Sequence, residues 1–406
     1  MSTVMRSYLT VWRLPSAPVL LLSGFAGRLP SSMVPLALLL MVQEQTGSYA
    51  VAGGVSATYG IATAIIAPVL GRLADRRSPR VVLLSQSAVY PLLLALVAAV
   101  VIADAPVPAM LAAAGAVGAS TPLVAGTVRA LWSRVDARVR PTAYALDATA
   151  TELVFVAGPM LVALLAFVAS PSIALAIAGV LGVAGALGVA TSAPMRSWVP
   201  AASGRRPLFA TVTTPGMPRI LLSGTALMLG IGALEVAVPA FADAAGSPGM
   251  SGLLLAVWAL GSAGGGLWFG ARMISTTLPR QYRWGLLGVT IGLAPLAVVS
   301  SPWLLGVLLF LGGTAIAPTL TVQSSLVGSI APASATTEAF TWLSTVSFGA
   351  SAIGAAVGGA LIETSFGVAG ALVLATAAGA LAVLVTLLPG RRPTLPTATQ
   401  RDVVHA

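Results

Sequence analysis

Four ionisable side chains sit where an apolar sequence should not tolerate them. Arg28 interrupts the apolar run that begins near Ala17, Asp147 and Glu152 share a second run, and Glu235 falls in a third. A charge inside hydrocarbon is costly unless it is paired or hydrated, so each position is a functional candidate by default. A carboxylate can carry a proton, and a guanidinium can pair with a carboxylate or hold an anion. Groups of these two kinds are what a proton relay or an ion site within a membrane would use. The parts of other chemistries are missing. The chain has no cysteine, and its single histidine, His405, is the penultimate residue. Thiol nucleophiles, disulfides, thiolate metal sites and a Ser-His-Asp triad therefore have no material. No lysine occurs either, so a G-x-x-x-x-G-K-[ST] phosphate loop cannot be written. The expectation is no enzyme, no metal and no cofactor.

The elements that must position these groups are membrane helices. Of 406 residues, 57% are hydrophobic and 8% charged, against about 25% charged in soluble domains. Crossing the bilayer takes roughly 20 apolar residues. Charged and Gly/Pro/Ser-rich punctuation cuts the chain into twelve such spans: 17–42, 50–70, 81–102, 107–131, 142–168 and 171–192, then 219–242, 249–270, 284–300, 303–327, 337–361 and 368–388. The predicted fold class is an all-α membrane protein of twelve transmembrane helices. At 1.5 Å per residue, Arg28 in the first span and Glu152 in the fifth fall near mid-bilayer. Glu235 falls in the outer half of the seventh span, and Asp147 roughly one and a half turns inside the fifth. No apolar run precedes Pro18, so the first span is expected to stay in the protein.

Charge placement orients the spans. The net charge of +10 comes from arginines spread between apolar segments rather than gathered on a folded domain, so no nucleic-acid partner is expected. Arg72, Arg76, Arg77, Arg80, Arg134, Arg138, Arg140, Arg196, Arg205, Arg206, Arg272, Arg280 and Arg283 fall in the even-numbered connections. Arg6, Arg13, Arg391, Arg392 and Arg401 fall in the tails, and the odd-numbered connections have none. By the positive-inside rule both termini are cytoplasmic in a multi-pass protein of the cell membrane. Trp12, Trp132, Trp198, Trp284 and Trp303 lie near span ends, where an interfacial belt would put them.

The chain also repeats itself. Leu21-Leu22-Ser23-Gly24 recurs as Leu221-Leu222-Ser223-Gly224, Val34-Pro35 as Val238-Pro239, and Ala143-Tyr144 with Gly158 as Ala339-Phe340 with Gly354. Six spans per half make this a parallel pseudo-repeat about an axis along the membrane normal. The expected units are a six-helix bundle at 1–192, a cytoplasmic linker at 193–218, a second bundle at 219–390 and a cytoplasmic tail at 391–406.

The connection after the second span reads Gly71-Arg72-Leu73-Ala74-Asp75-Arg76-Arg77-Ser78-Pro79-Arg80. It resembles the signature loop of the major facilitator superfamily, G-x-L-a-D-r-x-G-r-[KR], in the connection where that family carries it. Ser78-Pro79 departs from the family's Gly-Arg but suits the N-cap and first turn of the next helix. The resemblance implies that Gly71, Asp75, Arg76 and Arg80 latch the two halves on the cytoplasmic side. It implies a central cavity lined by spans 1, 4, 7 and 10, with 2, 5, 8 and 11 flanking the seam. Arg28 and Glu235 are then candidate cavity charges that pair when the cavity closes. Glu152, with Asp147, is a candidate protonatable carboxylate. A permanent Arg–Glu pair that only orients helices fits the same residues. Arg129 and Glu338, nearer the cytoplasmic ends, suit snorkelling and capping. Gly158-Pro159 is similar to the core of the motif that the superfamily's drug/proton antiporters carry on span 5, or is a packing kink. Thr314, Thr319, Thr321, Gln323, Ser324 and Ser325 on span 10 suit either substrate or neighbouring helices.

Fold names no cargo. The reading that joins these features is a secondary active transporter working by alternating access. It exports small drug-like or metabolite molecules, coupled to protons, as a monomer. Proton-coupled import of a sugar or other small organic solute is the alternative, and a scaffold or sensor that keeps the fold without transport is a remote third.

Overall fold

The computed structural model describes residues 9–14, 16–198, 210–247, 250–272 and 276–388. The centre of the linker at 199–209, the tail at 391–406, and Arg6, Arg205, Arg206, Arg391, Arg392, Arg401 and His405 lie outside the described residues.

Helices form where hydropathy places them. The first six spans fold as α1 (Ala17–Thr46), α2 (Tyr49–Arg76), α3 (Pro79–Ile102), α4 (Val107–Ser120) with α5 (Val124–Trp132), α6 (Arg140–Val168) and α7 (Pro171–Thr191). The last six fold as α8 (Met217–Ala244), α9 (Ser251–Gly270), α10 (Leu278–Leu293), α11 (Pro302–Gly313) with α12 (Ile316–Ile330), α13 (Thr336–Ile362) and α14 (Gly367–Leu387). Short polar connections stop and restart them. Gly47, at φ +68°, ends α1 by donating its N–H to the Gln43 carbonyl at 2.8 Å. Ser78 caps α3 through its Oγ, and Pro79 fills the first turn, as the sequence implied.

Three of the twelve spans depart from a single rod, the tenth only by a turn at Thr314 and Ala315 between α11 and α12. The fourth breaks at Thr121–Leu123, where Pro122 cannot donate to the helix ladder. Gln86 of α3 satisfies the groups this frees: its Nε2 donates to the Thr121 carbonyl at 2.7 Å, and its Oε1 accepts the Leu123 N–H at 3.1 Å. Backbone left unpaired at this depth would have no water to turn to. The ninth span is shifted from the expected 284–300. It is a 16-residue α-helix, α10, continued by a 3₁₀ segment at Ala294–Val298 around Pro295. Among the described residues, the other eleven spans are each long and apolar enough to cross a bilayer alone.

Small residues let the helices approach. A Cβ on Gly185 of α7 would strike the backbone of Gly27 on α1, and one on Gly232 of α8 would strike the Ser351 carbonyl on α13. The sequence repeat is also a repeat of contacts. Gly158 of α6 faces Ser32 of α1, and Gly354 of α13 faces the Leu229 backbone of α8, so each marks the same crossing in its half.

The tryptophans divide. Trp12, Trp284 and Trp303 are exposed, as a belt requires, but Trp132 and Trp198 are buried. The Arg134 guanidinium lies 3.3 Å from the centre of the Trp198 ring. Trp132 and Trp198 therefore pack the arginine-rich end instead of marking an interface.

Candidate functional site

The buried charges form one cluster. Asp147, on α6, is 3% exposed and accepts from two arginines of other helices. Arg28 of α1 reaches its Oδ1, and Arg129 of α5 donates through Nε to its Oδ2 at 2.9 Å. Arg28 also donates to Thr151 Oγ1 at 3.2 Å and, at 3.4 Å, to the Asp147 carbonyl. Arg129 reaches Ser344 Oγ of α13 at 3.5 Å, a weak contact across the two halves. Two guanidiniums and one carboxylate leave a formal excess of one positive charge. Arg28 is 6% exposed, and its Nε has no hydrogen-bond partner among the described residues.

Sequence reasoning placed these residues but paired them differently. Arg28 is bound to Asp147, not to Glu235. Arg129, expected to snorkel or cap, completes the cluster. A signal was available: Pro122 lies seven residues before Arg129, so the count of turns from the start of the fourth span could not be carried across it.

Arg28 and Arg129 line a cavity of about 280 Å³. Its walls come from α1, α2, the break between α4 and α5, α5 itself, α6 and, from the other half, α13. These are spans 1, 2, 4, 5 and 11, so this cavity shares spans 1 and 4 with the set 1, 4, 7 and 10 that the resemblance implies for the central cavity. Most of the surface is apolar. Phe155 of α6 and Phe348 of α13 meet across the halves with ring centres 6.0 Å apart, and Tyr59, Ile66 and Leu70 of α2 line the opposite wall.

Glu152 and Glu235 form a second, acidic pair. Glu152 of α6 lies within electrostatic reach of Glu235 of α8 and beside Ser262 of α9, so the two carboxylates approach from opposite halves. Glu235 is exposed and accepts at most a weak bond, 3.5 Å, from Ser351 of α13. Neither carboxylate has an ion-pair partner among the described residues.

The halves meet at the arginine-rich end. Asp75 is buried, and its two carboxylate oxygens accept the backbone N–H groups of Thr337 at 3.0 Å and Glu338 at 2.8 Å. Those are unpaired first-turn donors of α13, so Asp75 caps a helix of the opposite half. Gly71 and Gly126 lie against Thr341 of α13, with no room for a side chain. Thr142 Oγ1 donates to the Gly270 carbonyl at 2.6 Å, joining α6 to the end of α9. Gly71 and Asp75 therefore make the contact, whereas the Arg76 and Arg80 side chains stand exposed. The cation that acts on Asp75 is Arg134. Burial pulls its guanidinium below the ordinary arginine value, and Asp75 pushes it back up.

The polar face of span 10 resolves as structural. Thr319, Thr321 and Ser325 donate to carbonyls one turn back, at 2.6, 2.8 and 2.9 Å. Gln323 donates to Tyr282 OH of α10 at 3.2 Å and lies against Gly224 of α8. Gly158-Pro159 likewise sits at a helix crossing, where Ser32 Oγ donates to the Val154 carbonyl at 3.0 Å.

Solved structures place this arrangement among known folds. A bacterial homologue of the iron transporter ferroportin, in an outward-facing state with soaked iron, matches at a TM-score of 0.75 and 15% identity, covering 91% of this chain and 98% of its own. The human organic anion transporter MFSD10 matches at 0.73 and 18%, covering 91% and 97%. The E. coli fucose:proton symporter FucP matches at 0.69 and 14%, covering 91% and 98%. At these identities the likeness concerns the fold alone. No curated protein matches the sequence. Residues 20–271 match the Major Facilitator Superfamily, well over half of the chain, and with the twelve-helix fold the protein belongs to that family of transporters.

Proposed function

We propose that this transporter is a proton-coupled exporter of small drug-like or metabolite molecules, working by alternating access with its arginine-rich end in the cytoplasm. The bundles at 1–192 and 219–390 would rock about the cavity, and the linker at 193–218 and the tail at 391–406 would lie in the cytoplasm. The observation that carries the coupling is the Glu152–Glu235 approach across the seam. Two facing carboxylates without a cation can hold a proton between the halves and release it when the halves separate. The Asp75 cap supplies the other requirement, a contact that closes one end and can be undone. A cavity complete within one chain supports a monomer as the working unit.

The test is flux in proteoliposomes against a panel of labelled small molecules, with and without a pH gradient. Export predicts that substrate moves opposite to the protons. Glu152→Gln and Glu235→Gln should each abolish gradient-driven accumulation while sparing substrate–substrate exchange. Accumulation in the same direction as the protons would select the import reading instead. If both variants retain gradient-driven transport, the coupling assignment is wrong.

A further inference from the structure

The base of the cavity carries an unbalanced charge. Arg28 and Arg129 share the single carboxylate of Asp147, and the charged groups that act on Arg28 are these two alone. The charge that acts on Glu152 is Glu235, not either arginine. A buried cation without a full counter-charge is unfavourable. Here the shortfall is one negative charge, at a place where a small molecule can enter. Buried Arg28 has an unused Nε donor, and Arg129 spends one donor on a 3.5 Å contact with Ser344 that a better acceptor would displace. A planar carboxylate suits guanidinium donors held this way.

The rest of the cavity asks for something different. Its volume of about 280 Å³ is near the lower end of the roughly 300–1,000 Å³ of small-ligand sites. The rest of its wall is largely aromatic and aliphatic, with Phe155 and Phe348 brought together from the two halves. A ligand that satisfied both regions would put one negative charge beside Arg28 and Arg129 and a compact apolar body against the rings.

We infer that the cavity selects small amphipathic monoanions, with the anionic group held by Arg28 and Arg129 and the apolar body packed against Phe155 and Phe348. This rests on reading the cavity as the substrate site but not on proton coupling or direction. Binding the monoanion neutralises the cluster without adding charge to the site. It also engages residues of both halves, because Arg129 moves its donor from Ser344 to the ligand while Phe155 and Phe348 both contact the body.

The test is equilibrium binding to the purified full-length protein in detergent, without a gradient, so its failure is separable from failure of coupled export. The probes are 4-phenylbutyrate, its amide and the corresponding amine, which share one skeleton and differ in charge. Binding of the carboxylate about tenfold or more tighter than of the amide is expected, as for a charge-assisted contact against a neutral one, with the amine weakest. Arg129→Gln leaves Arg28 and Asp147 as a balanced pair, and there the amide should bind at least as well as the carboxylate. That reversal of rank cannot come from misfolding. Equal affinities in the parent protein, no carboxylate binding, or an Arg129→Gln variant that keeps the carboxylate preference would each overturn the inference.

Discussion

The backbone N–H of Glu338, in the second half, donates to the carboxylate of Asp75, in the first, at 2.8 Å. With the neighbouring bond from Thr337, one buried acid caps a helix that belongs to the other bundle. The interaction is specific in a way that a surface ion pair is not. It requires a small acidic side chain, an unpaired helix N-terminus and Gly71 one turn earlier to let α2 and α13 touch.

Asp75→Asn keeps the shape but loses the charge that favours a helix N-terminus. It should loosen the arginine-rich end without unfolding the bundles. Because the chain has no cysteine, a Thr341→Cys probe placed behind the seam reports this directly. Thr341 is 2% exposed, so labelling by a thiol reagent should be slow in the parent background. It should be at least several-fold faster with Asp75→Asn, and unchanged labelling would show that the cap does not hold this end closed.

The Asp147 cluster makes a prediction from charge arithmetic. Asp147→Asn leaves a buried and a partly buried guanidinium with no counter-charge, whereas Arg28→Gln or Arg129→Gln leaves a balanced pair. Asp147→Asn should therefore be the most damaging of the three, costing about 3–5 kcal/mol in all as loss of a buried partner does. Thermal unfolding in a fixed detergent should rank Asp147→Asn below both arginine variants. An equal ranking would mean that the excess charge is already compensated.

Much of this was legible beforehand. Span number came from hydropathy, and the loop from Gly71 to Asp75 pointed to the seam through its resemblance to the superfamily's signature loop. The pairing of charges was not legible. Arg28 and Asp147 are separated by 119 residues, and whether they meet depends on how α1 and α6 rotate about their axes. Charges tolerated in apolar runs say that a partner exists without saying which. Arg129 was misplaced for a local reason. Pro122 ends α4 and starts a nine-residue helix, α5, whose direction hydropathy does not set.

Span 10 tests the same distinction from the other side. Gln323 looked equally suited to substrate and to helix contacts, and it bonds Tyr282 OH at 3.2 Å. Gln323→Leu should lower stability by about 1 kcal/mol, the usual net value of one such bond. Flux ratios across a substrate panel should not change. A shift in substrate preference would return span 10 to the cavity wall.

The two repeat-related glycines should differ in how they fail. A Cβ at Gly354 would meet the Leu229 carbonyl and Cα, which are backbone and cannot step aside. A Cβ at Gly158 would meet the Ser32 hydroxyl and Cβ, a side chain that can be removed. Each alanine substitution overpacks a helix crossing, at a cost of about 1–3 kcal/mol. Gly158→Ala should be the milder of the two, because Ser32 Oγ can rotate away at the expense of its bond to the Val154 carbonyl. Adding Ser32→Ala removes the clashing hydroxyl but leaves its Cβ, 2.9 Å from the new methyl, so the double variant should recover part of the loss and not all of it. For Gly354→Ala, no truncation of Leu229 can help, since the obstruction is main chain. Melting temperatures of the four variants Gly158→Ala, Gly158→Ala/Ser32→Ala, Gly354→Ala and Gly354→Ala/Leu229→Ala decide the matter. Rescue in the first pair and none in the second is the expected pattern. Equal rescue in both would mean that α8 and α13 are free to separate where they cross.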